Sequence, residues 1–228
     1  MSHHILPGVP PVEVVLRRSS RARRISLRVS SIDGRVTLTC PPGVREAEAL
    51  SFAKEKATWL RGHLMRRPED VAIGPDTVLP IRGETRRVVP GSGRAVRLIE
   101  NEVHVPGDSM RVSARLQGFL KELARAHLAD ASDRYAAALG QSYSRLTLRD
   151  TRSRWGSCSS VGALSYSWRL ILAPDSVLEY VAAHEVAHLA EMNHSKRFWH
   201  IVTQLYGDHG PPRHWLKEHG SGLHRYRF

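Results

Sequence analysis

A chain of 228 residues with 41% hydrophobic content can bury one good core and a second small one, which excludes a disordered polypeptide. Its formal charge is +12, and its two cysteines, Cys40 and Cys158, exclude both a disulfide framework and a thiolate metal site. No run reaches the roughly 20 apolar residues of a spanning helix, and the start, Met1-Ser2-His3-His4-Ile5, lacks the charged-then-apolar pattern of a secretory leader, so a cytoplasmic protein without a membrane partner is expected.

Of the 34 basic residues 29 are Arg, which either solubilise the chain or give a basic surface a weak association with nucleic acid. The densest basic run, Arg17 to Arg24, leads into the alternating strand Ile25 to Val29. A second alternating strand, Arg35 to Thr39, follows Asp33-Gly34, and the pair predicts a hairpin. Apolar residues from Ala47 to Leu60 recur at helical spacing and predict one helix, Val44 to about Met65. Between Pro68 and Pro106 the pieces Val78 to Ile81, Arg86 to Val89, Val96 to Ile99 and Glu102 to Val105 predict short antiparallel strands. The expected class is α+β, with a β-rich region carrying one helix over 1–106 and a second domain over 107–228.

In that second domain Asp108 or Ser109 caps a long predicted helix that Gly140 stops after Leu139. Strands are predicted at Arg145 to Arg149 and Leu164 to Leu170, flanking a turn-rich stretch from Trp155 to Gly162. Ser176 and Glu179 have capping-box spacing, which predicts a helix from Ser176 to about Met192. His184 and His188 lie four apart on it, their Cβ atoms about 6 Å apart on one face, so two imidazoles reach one metal. Glu185 is poorly placed to ligate the same ion and well placed to take a proton from its water, as general base. Asn193 ends the helix and the turn brings His194 back as a third ligand. Ser195 then caps a helix over Lys196 to Tyr206.

With 13 His and 13 Glu in the chain, chance yields roughly 0.04 His-Glu-x-x-His matches, so chance explains this one poorly. Three histidines beside a carboxylate describe an open catalytic site for Zn2+; imidazoles also suit Ni2+, Co2+ and iron. Hydrolysis passes through an oxyanion that needs a further donor, and Tyr206, His209, His214, Arg154 and Arg169 qualify by chemistry. Cys158 is expected to be a buried thiol rather than a nucleophile.

The run Arg154-Trp155-Gly156-Ser157-Cys158-Ser159, then Trp168-Arg169-Leu170, His184-Glu185-Val186-Ala187-His188-Leu189, Met192-Asn193-His194-Ser195 and Phe198-Trp199 resembles the YgjP-like family of zinc metallopeptidases. The N-terminal hairpin, the helix with Trp59 and the Tyr206 to Leu216 tail are similar as well. The resemblance implies a zincin-like minimal metallopeptidase domain related to the SprT-like proteases, ligands at His184, His188 and His194, Glu185 as base, and a peptide or protein substrate. It departs at Ser167, where the family leads us to expect Asn. The spacing of the histidines also matches metzincins, whose glycine falls here on Glu191, so a differently shaped turn is expected. An extended peptide is expected to pair with the Leu164 to Leu170 strand. Two other readings stay open: a zinc-dependent nucleotide phosphohydrolase, and a DNA-associated protease or binding protein of SprT-like type. Oligomeric state is not legible.

Overall fold

The structure, a computed structural model, describes residues 2–30, 32–65 and 69–228, and these form two compact units, Met1–Glu69 and Asp70–Phe228. In the first, β1 (Ser2–Leu6), β2 (Val12–Arg18), β3 (Ser26–Val29) and β4 (Val36–Cys40) make a sheet in the order β1-β2-β4-β3. Period-two alternation sends Val12, Val14, Leu16, Val36 and Leu38 to one face. There α1 (Glu46–Glu55) and α2 (Ala57–Met65) supply Ala49, Ala53 and Leu60 to the same core. The hairpin expected from alternation is β3 with β4, paired antiparallel. The single helix expected from Val44 to Met65 is two, interrupted at Lys56.

The second unit opens with β5 (Val71–Ala72), followed by β6 (Val78–Ile81), β7 (Glu84–Gly91), β8 (Arg97–Ile99) and β9 (Glu102–Pro106), of which the last four form a sheet ordered β6-β7-β9-β8. Arg82 and Gly83, both at positive φ (56° and 81°), make the two-residue turn between β6 and β7. An all-antiparallel sheet was expected, but β7 and β9 run parallel because β8 returns on the far side of β9. Leu79, Ile81, Val88, Val103 and Val105 of this sheet are buried in one core with the helices that follow. The compact unit therefore begins at Asp70, whereas the sequence alone groups this sheet with the first strands up to residue 106.

Helix α3 (Val112–Leu139) ends as expected, with Gly140 in the left-handed region at φ 66°, but Asp108, which accepts the Met110 N–H at 3.0 Å, caps a 3-10 turn over Ser109–Arg111 that leads into the helix, and Arg111 at the helix's own N-cap makes no side-chain bond. Its buried stripe, Leu116, Leu120, Ala124, Leu128 and Ala131, has the spacing of one helix face. Three short strands come next, β10 (Arg145–Arg149), β11 (Gly156–Cys158) and β12 (Ala163–Ser167), ordered β10-β12-β11. β12 is parallel to β10 and antiparallel to β11. The strand expected to reach Leu170 stops at Ser167, because Trp168–Leu172 coil into a 3-10 turn whose five side chains are all buried. β12 is also the central strand, so it has no free edge for the peptide track expected of it.

Helix α4 (Asp175–Ala187) starts directly after Pro174, and the expected capping box does not form. Asp175 in the first turn instead accepts from Arg82 Nε and Nη2 at 2.9 and 2.6 Å, while Glu179 pairs with Arg134 at 2.6 Å. The helix ends at Ala187, short of the expected Met192. α5 (Lys196–Tyr206) is capped by the Ser195 hydroxyl, which accepts the Phe198 N–H at 3.3 Å. α6 (Gly210–His219) has Pro in its first turn and was not anticipated. The chain closes with β13 (Tyr226–Arg227), parallel to β5. The class is thus α+β, and among the described residues no helix is long and apolar enough to cross a membrane.

Arg169 joins the 3-10 turn to this closing segment. Its guanidinium donates to Asp150 at 2.6 and 3.1 Å and to the carbonyls of Leu223 and Tyr226 at 3.1 and 3.0 Å. Burial pushes the Asp150 carboxyl up, but the Arg169 hydrogen bond and charge, helped by His224 and Trp168, outweigh it and hold the carboxyl below its usual range. A depressed acid pKa stabilises the fold above the unfolded value of about 3.9, and this contribution is lost as pH falls through the folded value. Arg169→Leu is expected to lower unfolding free energy by about 2–3 kcal/mol at neutral pH, solvent at Asp150 trimming the ionic share. Urea unfolding at neutral and acid pH checks both parts: the variant should also lose less stability than the parent on acidification.

Candidate metal centre

Two helix ends bring three imidazoles together. His184 projects from the last full turn of α4, His188 is the residue at its C-terminal cap, and His194 stands just before the Ser195 cap of α5. One ring nitrogen from each lies within 4.8 Å of the others, and the Nε2 atoms of His184 and His194 are 3.0 Å apart. Two nitrogens around a tetrahedral ion at about 2.0–2.1 Å would be about 3.3 Å apart, so the spacing fits a small cation. The His188 Nδ1 faces the Glu191 carbonyl at 3.0 Å; donating there fixes the tautomer and leaves Nε2 free to ligate. Phe198 forms a floor beneath all three rings, with centroids 4.9 Å from His184, 4.5 Å from His188 and 4.7 Å from His194.

Burial sets the protonation of this group. It pushes the His184 imidazole down to about 3, with the neighbouring His188, His194, Arg213 and His209 pulling the same way. His188 is lowered chiefly by burial too. Both are therefore neutral at physiological pH, which is the ligating form. His194 is the exposed member, so the cluster opens to solvent on its side.

The Glu185 side chain lies in a slot against β11, packed over Gly156. It is buried, and burial pushes its carboxyl up to about 8 against the opposing charge of Arg154 and a hydrogen bond from the Cys158 backbone N–H. Gly156 makes this possible: a Cβ built there would stand 2.5 Å from Glu185 Oε1 and 2.6 Å from its Cγ. Sequence reasoning takes this stretch as turns and misses both Gly156 and the Cys158 amide. A glycine inside a short strand does signal a close approach, so a signal for this seat exists in the sequence. The Cys158 thiol is pushed up to about 11 by burial and then by the charge of Glu185, which keeps it protonated and a poor nucleophile.

The five candidate oxyanion donors separate. Arg169 is committed to Asp150 and two carbonyls, the Tyr206 hydroxyl donates to the Ser176 carbonyl at 2.9 Å, and His214 pairs with Glu218 at 3.1 Å on the surface. His209 stays with the cluster, its ring 5.0 Å from Trp199 and 6.2 Å from Tyr180, and its Nδ1 is buried with no hydrogen-bond partner. Arg154 is exposed, and its charge is felt at Glu185.

Gly156→Ala is expected to destabilise the fold by about 1–3 kcal/mol through overpacking against Glu185. The same substitution on a Glu185→Ala background should cost markedly less. Equal losses in urea unfolding of the two backgrounds would show that the close approach is not the cause.

No curated protein matches the sequence. Among solved structures, the abylysin metallopeptidase zymogen of Pyrococcus abyssi is similar over 44% of this chain and 99% of that one, with 18% identity and a TM-score of 0.37. The profile of the YgjP-like, metallopeptidase domain matches residues 23–219, which is most of the chain. The chain therefore belongs to the YgjP-like metallopeptidase-domain family.

Proposed function

We propose that the protein is a zinc-dependent peptidase in which His184, His188 and His194 hold the metal and Glu185 is the general base. The observation that carries this reading is the convergence of three ring nitrogens within 4.8 Å, next to a buried carboxylate on the same helix. The donor set fits zinc: three neutral imidazoles, one held in its tautomer by a carbonyl, leave a fourth position open. Nickel and cobalt suit the same ligands. Zinc in such a cradle supplies a Lewis acid that polarises a carbonyl and acidifies water.

The remaining chemistry belongs to the chain. Burial pushes the Glu185 carboxyl up to about 8, which makes its ionised form a stronger base than a free carboxylate, suited to take a proton from the attacking water and give it to the leaving amine. The Cys158 amide and the tight seat against Gly156 keep that carboxylate in one orientation. His209, with its unpartnered Nδ1, and Arg154 are the donors best placed to meet developing negative charge. β11 is the outer strand of its sheet and touches Glu185, so its edge rather than β12 is the track on which an extended peptide would pair.

Glu185→Gln is expected to lower turnover by about 10²–10⁴-fold while retaining one metal per chain. His188→Ala should lose the metal. Metal analysis beside a screen of peptides and nucleotides, each with and without chelator, tests the whole reading. Undiminished activity in Glu185→Gln removes the base, and chelator-sensitive turnover of nucleotides alone removes the peptide bond as substrate.

A further inference from the structure

The sheet of the first unit has one face covered by helices and one face open, and the open face is strongly basic. Between Arg17 and Arg35 the chain carries seven arginines and a single acid, Asp33. All seven arginines are exposed. Arg18 is engaged, donating to the carbonyls of Pro42 and Val44 at 2.9 and 2.7 Å. Among the described residues, the other six form no salt bridge.

Register decides where they point. Val14, Leu16, Leu27, Val29, Val36 and Leu38 belong to the core, so the alternate positions face out. Arg17 then stands in one row with Thr39 and Ser26, and Arg28 in the next row with Thr37 and Val15. Arg35, just before β4, shares that outward parity. Arg21, Arg23 and Arg24 lie on the connection between β2 and β3, at the Arg17 end. The acid on this face, Glu13, is on β2 at the end away from Arg17, in the row next to Arg35, and is already paired with His3 at 2.6 Å.

We infer that this open face binds duplex nucleic acid through its phosphate backbone. Arginine's planar fork matches phosphate oxygens two at a time, and the Thr37, Thr39 and Ser26 hydroxyls lie between the arginines as additional donors. Base stacking is not available: the aromatic residues of 1–69 are Phe52 and Trp59, both on the helices. That favours a duplex, held without regard to sequence, over a single strand. Insertion into a lipid surface would need apolar side chains among the cations. Here Val15 is buried, and the exposed Ile5 and Val9 lie on the edge strand β1 and the loop after it, with β2 and β4 between them and β3. The inference does not depend on the metal centre.

The test is fluorescence anisotropy of the full chain with a labelled random-sequence DNA duplex over a series of salt concentrations. Replacing Arg17, Arg28 and Arg35 together by Gln is expected to weaken binding and to reduce the slope of log K against log salt by about 3, because each arginine neutralises about one phosphate. Arg28→Gln alone, which guards against a folding defect in the triple variant, should reduce it by about 1. Replacing the exposed Arg94, Arg97 and Arg125 of the second unit removes the same charge elsewhere and should leave the slope unchanged, as should Glu185→Gln or chelator. No duplex binding at low salt, equal weakening in the two triple variants, tighter binding to a single strand, or binding only to phosphatidylserine vesicles would each overturn the inference.

Discussion

Helix α4 is the constraint around which the second unit is built. Val177, Leu178, Tyr180, Val181, Ala182, Ala183, Val186 and Ala187 are all buried, and these positions run around the whole helix rather than along one stripe. Such a helix must be covered on every side, and α3, α5, α6 and β11 all pack on it. The alanines let those neighbours come close. Beyond its exposed first turn, a polar group on this helix is desolvated together with its apolar neighbours. The burial that stabilises the fold therefore also keeps His184 and His188 uncharged and raises Glu185, without any separate device for either.

Desolvated polar groups need partners, and the second unit supplies them from near and far along the chain. Glu185 is met by the Cys158 amide and His188 by the Glu191 carbonyl, while at the exposed start of the helix Asp175 is held by Arg82 on the β6–β7 turn. The support extends one layer further. The Ser167 N–H donates to the Trp155 carbonyl at 2.8 Å, and the Trp155 ring rests on His224 and against Gly220. His224 is pushed down to about 4, mainly by burial, so it packs there as a neutral ring.

What the sequence makes legible follows from how local the cause is. Helix α3, the Ser195 cap, the β3–β4 hairpin and the HisxxxHis pair are written in neighbouring residues, and each can be read from them. β1 and β2 were not anticipated: Pro7, Pro10 and Pro11 crowd the connection between them, and the arginine run masks the end of β2. β11 has three residues and little alternation; its strand character comes from pairing with β12. The domain boundary near 106 rested on a change from strands to helix, whereas burial joins that sheet to the helix that follows. Of the oxyanion candidates, chemistry alone ranked all five together. Only position distinguishes Arg169, committed to backbone carbonyls, from His209 with a nitrogen to spare.

The parallel pairing of β13 with β5 has a consequence in time. It joins Val71 and Ala72 to Tyr226 and Arg227, so the unit cannot close until nearly its whole length has been synthesised. Before then the Arg169 guanidinium lacks the Leu223 and Tyr226 carbonyls, and Trp155 lacks the ring it rests on. Pairings between such remote segments form late and limit the folding rate. On the ribosome, the Trp155 ring and the Arg169 guanidinium would gain these partners only after the segment beyond residue 219 emerges.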